Sequence, residues 1–161
     1  MVKRVAGTLV ASVVVFFLSA CGGSKAPVQV APPALPAAPL VQKLLDTIIE
    51  SSFEVPARTF KPFEIVVAAA MSNPRLEGTF TASGANNDIE VLLLNEQQFS
   101  NWQNRHEFKS LYASGRVTAD KLRIDLPDEP GKYFVIFSNR FSVISTKSIV
   151  ADLKLRYDRA F

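Results

Sequence analysis

The stretch "IVADLKLRY", Ile149 to Tyr157, decides the fold class. Ile149, Ala151, Leu153, Leu155 and Tyr157 occupy every second position, and Val150, Asp152, Lys154 and Arg156 fall between them. Successive strand side chains point to opposite faces, so this alternation describes a strand with one face on a core and one in water. Upstream, "DKLRIDLP" sets Leu122, Ile124 and Leu126 against Lys121, Arg123 and Asp125. "RLEGTFTAS" sets Leu76, Gly78, Phe80 and Ala82 against Glu77, Thr79 and Thr81.

"PFEIVVAAA" from Pro62 and "YFVIFS" from Tyr133 are apolar on both faces, which predicts central strands, and "NDIEVLLLN" from Asn87 is intermediate. Turn-forming clusters separate these runs at 83–87, 114–115, 127–131 and 138–140. Short strands at such spacing, without helices alternating between them, predict an all-β chain: an antiparallel, jelly-roll-like β-sandwich. One short helix interrupts it. In "EQQFSNWQNRHEF", Phe99, Trp102, Gln103 and His106 share a helical face, Asn95 suits the N-cap, and the helix is expected to close one end of the sandwich.

Val41, Leu44, Leu45, Ile48 and Ile49 recur at helical spacing, which predicts an amphipathic helix over 41–50 that docks on the sandwich of 51–161. Before it, residues 21–40 form a Pro/Ala-rich linker, with Pro27, Pro32, Pro33, Pro36 and Pro39 among them. Proline fixes φ and lacks an N–H, so the expectation is an extended spacer reaching at most roughly 50 Å. A proline-rich recognition ligand is the alternative use.

Residues 1–20 have the layout of a secretory signal peptide: Lys3 and Arg4, the apolar run Val10 to Leu18, then small residues. Leu18-Ser19-Ala20-Cys21 resembles the lipobox of bacterial lipoproteins at all four positions. The resemblance implies diacylglycerol on the Cys21 thiol, cleavage before it and acylation of the new amino terminus. Two or three acyl chains anchor a protein to a bilayer stably, where one is marginal. Cys21 is the only cysteine, so no intramolecular disulfide or multi-cysteine metal site can form. With Gly22 rather than Asp after it, the resemblance implies the outer membrane of a Gram-negative envelope, facing the periplasm. In a cell without that membrane it implies the outer face of the plasma membrane.

Within 53–157 the segments "FEVPARTFKPFEI", "LEGTFTASGANNDIEVLLLNEQQFSNW" and "GKYFVIFSNRFSVISTKSIVADLKLRY" are similar to GOLD-like (emp24/p24-type) β-sandwich domains. The resemblance lies in strand and turn pattern. It implies a jelly-roll-like fold and a binding role without a shared ligand.

The chain has 18 Lys and Arg against 15 Asp and Glu, and the charges are interspersed, which argues against nucleic acid as a partner. His106 is the one imidazole and no G-x-S-x-G elbow is present, so no enzyme activity and no cofactor are expected. Asn86 and Asp88 in one loop, with Asp128 and Glu129 in another, suit either calcium or ordinary turn chemistry. Trp102, with Phe108 and Tyr112, could present an aromatic platform to a sugar ring or anchor the helix to the core. Arg140, beside Phe141, suits a recognition tip or a solvated turn. Trp102, Tyr112 and Arg140 are thus the candidate contact residues. The function expected is a membrane-anchored accessory or adaptor that binds an envelope protein. A carbohydrate- or wall-binding module is the alternative.

Overall fold

The computed structural model describes residues 40–160. The leader, Cys21 and the linker as far as residue 39 lie outside the described residues. Eight strands and one helix follow in order: β1 (Val41–Val55), β2 (Phe60–Val67), β3 (Ser72–Ser83), β4 (Ile89–Asn95), α1 (Glu96–Gln103), β5 (Tyr112–Val117), β6 (Ala119–Asp125), β7 (Gly131–Ser138) and β8 (Lys147–Ala160). One sheet has the order β1-β8-β3-β6 and the other β2-β7-β4-β5. Every pairing is antiparallel. First strand pairs with last, second with seventh, third with sixth and fourth with fifth, so the chain is one long hairpin rolled into two layers. That is a jelly roll.

The alternating strands behave as their pattern dictates. Leu76, Phe80 and Ala82 of β3, Leu122 of β6, and Ile149, Ala151, Leu153, Leu155 and Tyr157 of β8 all enter the core between the sheets. Phe53 and Phe80 both meet Phe137 edge-on, at 5.1 and 5.5 Å between ring centres. Gly78 sits in the middle of β3 with φ +146°, where an added Cβ would lie 2.0 Å from the Asp152 carbonyl oxygen. Only glycine lets β3 and β8 approach this closely there.

Residues 41–50 are the first part of β1 and not a helix. The strand pairs with β8 from Val41↔Ala160 to Val55↔Lys147, with a bulge between Thr47 and Ile49. A bulge inserts one residue and shifts the phase of the strand. Leu44 and Ile48 face the core before it, and Ile49, Phe53 and Val55 after it. The neighbouring pair Ile48-Ile49 therefore both point inward, which produced a spacing that mimics a helix. The sandwich begins at 41, ten residues earlier than the sequence pattern suggested.

Two further expectations change. β2 is an edge strand, with Val66 exposed, and an edge is where a sheet tolerates a proline such as Pro62, which has no N–H to donate. α1 does not close an end. It lies against the outer face of the β2-β7-β4-β5 sheet, where Trp102 joins Leu92, Leu94 and Ile136 in a second core flanked by Phe60, Phe99 and Phe134. This explains why β4 and β7 are apolar on both faces: they are central strands, with the sandwich core on one side and α1 on the other. Asn95 caps α1 as its sequence predicts, its side chain accepting from the Gln98 N–H at 2.9 Å.

Candidate functional site

Three segments distant in sequence meet where β2 begins and β7 ends. The β1–β2 turn supplies Arg58, Thr59 and Phe60, the end of α1 supplies Gln103 and Arg105, and the β7–β8 loop supplies Arg140, Ser142 and Val143. They line a cleft of about 490 Å³. The Arg58 N–H donates to the carbonyls of Asn139 and Ser142, both at 3.1 Å, and the Asn139 N–H donates to Thr59 O at 2.9 Å. Asn139 is fully buried, and its Nδ2 donates to Val55 O and Ser145 O at 3.0 and 2.8 Å. One side chain thus ties the end of β1 to the β7–β8 loop and fixes the cleft walls.

Arg140 is neither a free tip nor a solvated turn residue. Its guanidinium lies 3.8 Å from the centre of the Trp102 ring and 4.6 Å from that of Phe60. Its Nη1 donates to Trp102 O at 3.1 Å, and this is its one hydrogen bond among the described residues. A guanidinium has five N–H donors in a rigid fork, so most of the fork is left to face the cleft. Burial lowers the pKa of Arg140, and the nearby charge of Arg105 lowers it further. Arg58 and Arg105 are exposed and hold φ of +62° and +60°. Among the described residues none of the three arginines has an ion-pair partner, and no carboxylate lines the cleft.

The structure brings Trp102 and Arg140 together but leaves Tyr112 elsewhere. Tyr112, on β5, packs against the main core and donates its hydroxyl to Asp120 Oδ2 at 2.6 Å. Burial, then the Asp120 contact, pushes its phenol up to about 12. Trp102 is only 7% exposed and lies in the second core, so Trp102, Phe108 and Tyr112 form no common platform for a sugar ring. His106 is exposed beyond the end of α1 rather than on its face.

The four oxygen-bearing candidates are also separated. Asp88 accepts from the Nζ of Lys147 at 2.6 Å, and the same ammonium donates to Gly84 O at 3.0 Å. The Lys147 side chain is 2% exposed, and its hydrogen bond holds the Asp88 carboxyl below the usual carboxylate range. Asp128 accepts from the Asn73 N–H at 2.7 Å at the opposite end of β3, and the carbonyl of Glu129 accepts from the Tyr133 hydroxyl. The length of β3, roughly 35 Å at 3.3 Å per residue, divides the two loops. Asn86 is exposed in the turn whose Asn87 N–H donates to Gly84 O. These residues serve turns and an ion pair, and they form no shared calcium site.

Sequence reasoning missed Arg58, Phe60 and Arg105. No motif joins them, because their adjacency depends on how the jelly roll winds. No protein-family model matches the chain, and no curated protein matches it significantly.

Proposed function

We propose that the protein is a membrane-anchored envelope lipoprotein whose jelly roll is a non-catalytic, protein-binding accessory module. The observation that carries the binding role is the cleft with three unneutralised arginines. Like charges gathered without counter-charges destabilise a fold, and a partner of opposite charge relieves that repulsion. The anchor rests on Leu18 to Cys21, and the Pro/Ala-rich residues after it suit a spacer. The GOLD-like strand pattern is consistent with a binding module and names no ligand. The chain enters the sandwich at Val41, at the end of β1 away from the cleft, roughly 45 Å along an extended strand. Val41 and the cleft therefore lie at opposite ends of β1, which suits presentation of the cleft away from an anchor. Burial of Trp102 counts against the carbohydrate-binding alternative.

The test is crosslinking of the full lipoprotein in its own cell, with mass spectrometry of the captured species. One dominant envelope protein supports the adaptor. Co-purifying glycan without a protein partner overturns it. For the anchor, Cys21→Ala is expected to leave the precursor unprocessed or mislocalised. A processed, membrane-bound variant would sink the lipoprotein assignment.

A further inference from the structure

We propose that the arginine-lined cleft receives an acidic peptide segment of the protein partner, with carboxylates against Arg58, Arg105 and Arg140 and an adjoining apolar side chain against Val143 and Ile144. The inference rests on the adaptor reading and assigns the chemistry of its partner. Three observations carry it. The cleft has three cations and no lining carboxylate, so its complement is multiply anionic. Arg140 is held in place before any ligand arrives, stacked on Trp102 and Phe60 and hydrogen-bonded to Trp102 O, so little rotamer freedom is lost when its fork binds. Carboxylates match that fork bidentately.

The third observation separates a peptide from a simple anion or a membrane. On the loop that carries Arg140, Val143 is 63% exposed and Ile144 90% exposed. Two exposed apolar side chains beside the cations contribute nothing to an inorganic anion, but they cover an apolar residue next to an acid. Three of the cleft's eight lining residues are arginines, and they line a hollow rather than a protruding face. A flat lipid surface cannot enter a hollow, whereas side chains from a peptide can.

Trp102 is the only tryptophan in the chain and lies directly under Arg140, so its emission reports on the cleft. The experiment titrates the full lipoprotein, held in phosphatidylcholine nanodiscs at fixed ionic strength, with a synthetic decapeptide of alternating glutamate and leucine. Parallel titrations use the lysine–leucine peptide, the glutamate–serine peptide, inorganic phosphate and phosphatidylglycerol vesicles. The expected result is a saturable change with the glutamate–leucine peptide, none with its lysine counterpart, and weaker binding of the glutamate–serine peptide. In the double variant Arg58→Gln/Arg105→Gln binding is expected to weaken about tenfold, while the melting temperature does not fall, because both side chains are exposed and unpaired and their removal relieves like-charge repulsion.

No response to the acidic peptide, or an equal response in the double variant, overturns the inference. Phosphate matching the peptide makes the cleft a plain anion site, and vesicles alone responding makes it a membrane contact. Either outcome overturns the peptide assignment. The two readings fail separately. A cellular partner captured equally well by the double variant removes the cleft assignment and leaves the adaptor. A peptide that binds where crosslinking finds no protein partner removes the adaptor and leaves the cleft.

Discussion

The guanidinium of Arg140 lies 3.8 Å from the centre of the Trp102 ring and donates to the carbonyl of that same residue at 3.1 Å. The arginine thus seals the second core and caps the last turn of α1, where a cation also complements the negative end of the helix. A cation over tryptophan contributes roughly 0.5–2 kcal/mol, and a charged hydrogen bond about 1.5–3 kcal/mol. Arg140→Ala is therefore expected to lower stability by about 2–3 kcal/mol and to shift Trp102 emission to the red. Arg140→Lys keeps the charge without the planar stack and should recover only part of the loss. Urea unfolding followed by fluorescence measures both, and unchanged stability in Arg140→Ala would mean that the stack carries no load.

The Asp88–Lys147 pair links the turn after β3 to the first residue of β8. The native pKa of Asp88 is depressed, so between that value and the unfolded value near 3.9 the unfolded chain binds more protons. The pair's contribution is fully present above the unfolded pKa and is lost as pH falls through the native one. Protonating Asp88 also strands the buried ammonium of Lys147. Asp88→Asn is expected to cost about 3 kcal/mol at neutral pH, as when a buried pair loses one partner. It should also flatten the fall in stability below pH 4. Melting curves from pH 7 to 2 compare the two proteins, and parallel acid limbs would show that Asp88 does not drive the acid response.

Gly78 is intolerant for a backbone reason. An alanine there would set its Cβ 2.0 Å from the Asp152 carbonyl oxygen, at a φ that L-residues rarely adopt. Since that oxygen belongs to the central strand β8, the clash can be relieved only by parting β3 from β8. Gly78→Ala is expected to lose more than 3 kcal/mol or to fail to fold, placing it among the strain-type outliers of mutational surveys. Gly115→Ala is the control, since its Cβ would meet nothing within 4 Å, although its φ of +65° leaves a modest strain. Comparable melting temperatures for the two variants would contradict the close-approach argument.

Legibility in the sequence followed the number of constraints on each segment. β8 packs one face on the core along most of its length, so its alternation alone revealed it. β7 read as central because both faces are covered, although what covers the outer one, α1, could not be inferred from β7 itself. β2 misled because an apolar edge strand and an apolar central strand share a composition, and only Pro62 distinguished them. At the cleft, Trp102 stood out as the one tryptophan and Arg140 as a cation beside Phe141 just after an apolar strand. Arg58 and Arg105 occupy turns at positive φ, where arginine leaves no sequence signature.

The bulge in β1 supplies the last prediction. Because Ile48 is the extra residue opposite β8, its deletion makes Thr47 and Ile49 neighbours and restores a single alternation. Leu44, Ile49, Phe53 and Val55 would then all remain on the core face, so the protein should fold with the loss of one half-buried isoleucine, about 1–2 kcal/mol. Deleting Glu54 instead leaves no register that keeps every core side chain inward: with the bulge retained Val55 turns outward, and with the bulge straightened Ile49 and Phe53 do. All three side chains are buried, and retaining the bulge also pulls the turn at 56–59 against its hydrogen bonds to Asn139 and Ser142. That deletion is expected to cost about 3 kcal/mol or more by turning at least one buried side chain into water. Chemical denaturation of the two deletions, with Trp102 emission as the cleft reporter, decides the matter. If the Ile48 deletion proved as damaging as the Glu54 deletion, the extra residue would be needed for the twist of the edge and not merely tolerated by it.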